Sequence, residues 1–80
     1  MITLIIPITE LRAYQTARIV GLAGGHGFQS RLRTLGIREG KSITVQVSQP
    51  FGGPVVIEID GRATTIGRRM ARGILVEPQE

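Results

Sequence analysis

The sequence predicts a small, mainly β domain, a barrel or sandwich of about five short strands carrying one short α-helix and one helical turn. Valine, isoleucine and threonine are abundant, glycines are frequent, and apolar residues alternate with polar ones over short runs. Eighty residues build one hydrophobic core, so the chain reads as a single domain, 1–80. Cysteine is absent, which removes disulfides and thiolate zinc sites together as sources of stability.

Ile2 to Ile6 reads as an edge strand, and Thr9 as the cap of a short turn running to Leu11. A strand follows over Thr16 to Leu22. Phe28, Leu32 and Leu35 then recur at i, i+4 and i+7, the spacing of one apolar helical stripe. Gly36 follows the last periodic residue and Ile37 follows Gly36. If Gly36 takes the left-handed C′ position, Leu32 and Ile37 become the two residues whose side chains meet in a Schellman stop. Ser42 to Ser48 alternates strictly, placing Ile43, Val45 and Val47 on one face of a half-buried strand. Gln49 to Pro54 is dense in turn residues. Val55 to Ile59 and Arg62 to Ile66 form a hairpin about Asp60-Gly61, a pair that favours a type I′ turn. That turn pairs Ile59 with Arg62, Ile57 with Thr64 and Val55 with Ile66, a core face on which Thr64 is the polar member. Gly67 to Arg72 reads as a helical turn burying Met70 and Ala71, and Ile74 to Glu77 as the last strand.

The apolar start, Met1 to Ile8, is interrupted by Pro7 and has no basic segment before it, so neither a signal peptide nor a bilayer span is expected. The expectation is a soluble, cytoplasmic protein. Ten Lys+Arg against six Asp+Glu give a formal charge of +4. A basic balance raises nucleic acid as a partner, but the arginines are dispersed and only Tyr14, Phe28 and Phe51 are available to stack bases. Nucleic acid is therefore disfavoured, and the cluster Arg68, Arg69 and Arg72 reads as a solvated face.

Gly36-Ile37-Arg38-Glu39-Gly40-Lys41-Ser42 is close to a phosphate-binding P-loop, yet it has three residues between the glycines where that motif has four. Its context is also reversed, since it leaves a helix and enters a strand. Gly24-Gly25-His26-Gly27 reads as a flexible connection before the helix. His26 is the only histidine, and a lone histidine with scattered carboxylates is a poor metal site. With no cysteine nucleophile and no acid or serine at motif spacing from His26, no catalytic group, cofactor or small-molecule substrate is expected.

Four segments carry a family resemblance. Arg31-Leu32-Arg33-Thr34-Leu35-Gly36-Ile37-Arg38-Glu39-Gly40 resembles the R-L-x-x-L-G-I-x-x-G signature of FeoA, ferrous iron transport protein A. Gly52-Gly53-Pro54-Val55-Val56-Ile57 resembles the family's G-G-P-v-x-I segment, and Ile66 to Ile74 its closing L-g-x-x-x-A-x-x-I pattern. Pro7-Ile8-Thr9-Glu10-Leu11 fits the family's opening. Thr64 and Thr65 depart from the apolar residues more usual there, and Ile66 replaces a leucine. The resemblance implies an SH3-like barrel serving ferrous iron uptake, which binds and modulates FeoB, a membrane iron transporter with a cytoplasmic GTP-binding domain. It also implies a non-enzymatic role, at most peripheral to the inner membrane face through that partner.

The helix and its exit are the expected contact, with Arg31, Leu32, Leu35 and Ile37 at or under the surface. On that reading Leu32→Asp abolishes partner binding and leaves the fold intact. Two rival readings are a nucleic-acid-binding barrel and a self-associating module whose edge strands pair between copies.

Overall fold

The computed structural model describes residues 4–48 and 52–79. Its elements are β1 (Ile6–Pro7), a 3-10 turn (Ile8–Glu10), β2 (Thr16–Leu22), α1 (His26–Thr34), β3 (Ser42–Ser48), β4 (Val55–Ile59), β5 (Arg62–Ile66), α2 (Arg68–Arg72) and β6 (Ile74–Pro78). The strands form one antiparallel sheet in the order β1-β6-β2-β3-β4-β5. β1 and β5 are its two margins and do not pair with each other, so hydrogen bonding leaves the sheet open.

The first strand is shorter and later than expected. Ile2 and Thr3 lie outside the described residues, Leu4 and Ile5 are exposed, and pairing begins only at Ile6, opposite Val76. Pro7 continues it opposite Leu75, a position that an edge strand tolerates because no ladder bond is asked of the missing N–H. Pro7 also takes the N-cap position of the 3-10 turn, so Thr9 sits inside that turn and caps nothing. The turn buries Ile8, and Leu11 follows it into the core. Of the turn-rich connection before β4, Gln49, Pro50 and Phe51 lie outside the described residues.

Two bulges bend the sheet. On β2, Ile19 faces Val76 but Gly21 faces Leu75, leaving Val20 as the extra residue. The buried set accordingly switches parity, from Ala17 and Ile19 to Leu22. On β3, Val45 faces Ile57 but Val47 faces Val56, with Gln46 extra. This corrects the expectation for Val47, which strict alternation put inside beside Ile43 and Val45. The inserted residue turns Val47 outward, where it is 43% exposed. Both insertions raise the local right-handed twist. One face of the bent sheet covers a single core made wholly of aliphatic side chains from all three helical segments and from β2 to β6. Among the described residues no polar side chain is buried.

The β4–β5 hairpin takes the register that Asp60-Gly61 predicts, with Ile59 on Arg62, Ile57 on Thr64 and Val55 on Ile66. Both turn residues have positive φ, 52° at Asp60 and 78° at Gly61, as type I′ requires. The Asp60 carboxylate accepts from Lys41 Nζ at 2.9 Å. Thr64 is half-buried at the margin of the core face.

The stop of α1 is the one read from sequence. The Ile37 amide donates to the Leu32 carbonyl at 3.0 Å and the Gly36 amide to the Arg33 carbonyl at 2.9 Å, the two bonds of a Schellman motif. Gly36 has φ +85°, and both Leu32 and Ile37 are fully buried. The start of α1 differs from expectation. Gln29 N–H already bonds Gly25 C=O at 3.0 Å, so the helix begins at His26 and takes in Gly27.

A pair of glycine substitutions distinguishes the two ends. Gly36→Ala is expected to destabilise by about 1–2 kcal/mol, because a Cβ is forced into the left-handed region. Gly27→Ala, in open space on a helical backbone, is expected to stabilise by about 0.5–1 kcal/mol. Urea denaturation of both variants checks the signs.

Candidate docking surface

α1 is fixed at both ends. At its start, the Gln29 side-chain amide donates to the carbonyls of Leu22 at 3.1 Å and Gly24 at 3.0 Å, tying the first turn to the end of β2. The Ala23 amide donates to Gly73 C=O at 2.8 Å, which ties the same loop to the end of α2. The Phe28 ring packs over this junction. A Cβ built on Gly73 would lie 2.6 Å from Phe28 Cε2, and one on Gly24 2.7 Å from Phe28 Cδ2, so the ring occupies space that only two glycines leave open. At the other end the buried Leu32 and Ile37 anchor the helix exit. α2 is held by buried Ala71 and by Arg68, whose Nε donates to Gly53 C=O at 3.0 Å.

Between these two helices runs a seam with two depressions. The first, about 270 Å³, is floored by Ala23, Gly24, Phe28 and Gly73 and edged by Arg69 and Arg72. The second, about 330 Å³, is lined by Arg31, Thr34, Leu35 and Met70. Phe28, Leu35 and Met70 are half-buried and pack against the core from outside, so each shows an apolar edge to solvent.

The four residues expected at the contact divide into two layers. Arg31 is exposed and Leu35 half-exposed, and both line the second depression. Leu32 and Ile37 lie beneath them, fully buried. Leu32→Asp would place a carboxylate in an aliphatic core, so the expectation that this variant keeps its fold gives way. Phe28, Met70, Arg69 and Arg72 complete the seam and were not read as site residues. Phe28 and Met70 fit the apolar pattern of core residues, and nothing local in the sequence brings α2 beside α1.

The near-P-loop is occupied by structural bonds. The Gly40 amide donates to Ile19 C=O at 2.7 Å, and Lys41 is paired with Asp60. His26 is exposed on the first turn of α1. Among the described residues no three His, Cys, Asp or Glu side chains come together, and no helix is long and apolar enough to cross a membrane.

A bent six-stranded antiparallel sheet, with a short helix before its third strand and a helical turn before its last, defines an SH3-like domain. The chain belongs to the FeoA family, ferrous iron transport protein A: residues 6–78 match the FeoA domain. The crystal structure of an iron uptake regulatory protein (FeoA) is similar over 95% of this chain and 100% of that one, at TM-score 0.89 and 28% identity. The solution structure of the FeoA protein from Chlorobium tepidum is similar over 94% of this chain and 71% of that one, at TM-score 0.83 and 28% identity. A manganese-dependent transcriptional repressor shares the fold alone, at TM-score 0.88 and 16% identity, and this chain spans 44% of it. Comparison with curated proteins finds no match.

The Phe28 seat gives a direct test of the seam. Gly73→Ala is expected to expel the ring toward solvent at a cost of about 1 kcal/mol, the low end for overpacking because the ring can move. In a Phe28→Ala background the same change should be nearly neutral. A double-mutant cycle by thermal denaturation, with NMR ring-current shifts reporting the ring, measures the coupling.

Proposed function

We propose that this protein is a non-enzymatic accessory factor of ferrous iron uptake that binds a FeoB-type transporter on its cytoplasmic side and modulates transport or GTP turnover there. The observation that carries this reading is the FeoA match along residues 6–78, and the geometry supports it through α1. Core contacts fix the helix by its inner residues, leaving Arg31 and Leu35 at a recessed surface. A surface of that kind suits recognition, because side chains held rigidly lose little entropy on binding.

The test is affinity for a purified full-length FeoB-type transporter in nanodiscs of uncharged lipid. Leu35→Glu is expected to weaken binding at least tenfold while circular dichroism stays that of the folded domain. Arg31→Glu should weaken it by a similar factor. Wild-type affinity in both variants would contradict docking through the helix exit. Leu32→Ala serves as the contrast, since it should cost about 2–5 kcal/mol of stability by opening the core and so act on folding first.

A further inference from the structure

We propose that the whole α1–α2 seam receives an acidic, amphipathic segment of the transporter's polypeptide, apolar side chains entering the two depressions and carboxylates meeting Arg31, Arg69 and Arg72. The inference rests on the docking reading above and adds the chemistry of what docks.

The charge distribution supplies the argument. Among the described residues, Glu39, Asp60 and Glu77 are each ion-paired within the chain, to Arg33 at 3.3 Å, Lys41 at 2.9 Å and Arg18 at 3.3 Å. None of these six residues lines either depression. Arg31, Arg69 and Arg72 enter none of them and stand exposed along its rim. Glu10 lies on the 3-10 turn that packs against α2, and it pairs with none of the three. No acidic residue lines either depression, so the charged groups at the rim are arginines beside an apolar floor, a combination that draws in carboxylates and discriminates against basic segments.

The shape of the apolar surface favours a polypeptide over a lipid bilayer. A membrane-binding face needs apolar side chains that protrude into the headgroup region. Here the large exposed apolar residues, Leu4, Ile5, Tyr14 and Val47, line neither depression, and the seam's own apolar surface lies in those two shallow, open hollows. Recesses accept protruding side chains, as grooves that bind amphipathic helices do. Phe28, Arg31 and Leu35 follow one another at i, i+3 and i+7, so one side of α1 addresses both depressions.

The experiment compares R69E/R72E with R12E/R62E, an equal charge change at exposed positions off the seam, for binding to the full-length transporter in uncharged nanodiscs and to vesicles of phosphatidylglycerol and phosphatidylcholine. R69E/R72E is expected to lose at least tenfold in affinity for the transporter, with R12E/R62E within about twofold of wild type and the wild-type interaction weakening as salt rises. Equal losses in both variants would overturn the seam in favour of general attraction. Full affinity in R69E/R72E would overturn it too, while leaving docking on the transporter standing. Wild-type protein that binds the anionic vesicles and not the transporter would overturn both readings. Circular dichroism confirms that each variant is folded.

Discussion

The hydrogen bond from the Ile37 amide to the Leu32 carbonyl ends α1, reverses the chain toward β3 and buries two aliphatic side chains at once. Each consequence needs the others. Without the left-handed Gly36 the Ile37 amide would not reach the carbonyl of Leu32, which would keep only the Leu35 amide as donor, and without the reversal Ile37 would not reach the core. The rest of the helical face inherits its position from this joint. Leu35, at the C-cap between the last helical turn and the reversal, is half-buried and packs against the core from outside.

The sheet supplies the second constraint. Its six strands cover an aliphatic core without closing through hydrogen bonds, and the curvature required comes from the extra residues Val20 and Gln46. The bulge in β2 also carries the strand's end round to Ala23, whose amide holds the end of α2. So the groove between the helices is an outcome of sheet bending as well as of helix packing. For an 80-residue chain without disulfides the margin of stability is roughly 4–12 kcal/mol. This explains why the polar work is kept off the core: no buried side-chain polar atom among the described residues lacks a partner, and none of the ion pairs is buried.

Much of this was legible because it is local. Asp60-Gly61 sets the hairpin register through turn geometry alone, and Leu32-Arg33-Thr34-Leu35-Gly36-Ile37 carries both halves of a helix stop within six positions. The features that escaped are those that depend on distant partners. Val47 turns outward because β4 meets β3 across a bulge, which the unbroken alternation of Ser42 to Ser48 conceals. The shift on β2 did leave a trace, since Ile19 and Leu22 are both apolar at opposite parity. The helix begins at His26 rather than after Gly27 because Gln29 and Phe28 find partners at Leu22, Gly24 and Gly73. Of the proposed contact residues, Leu32 was legible as a stripe residue but not as one fully covered, and Arg69, Arg72 and Met70 could join Arg31 and Leu35 only once the fold set α2 beside α1.

On the proposed docking, recognition uses the helical face and leaves the sheet margins free. Amide hydrogen exchange of this chain, alone and with the full-length FeoB-type transporter, tests it most directly. Slowed exchange on complex formation should concentrate in Ala23 to Gly36 and Gly67 to Gly73. Protection confined to β1 or β5, with those two segments unchanged, would contradict it.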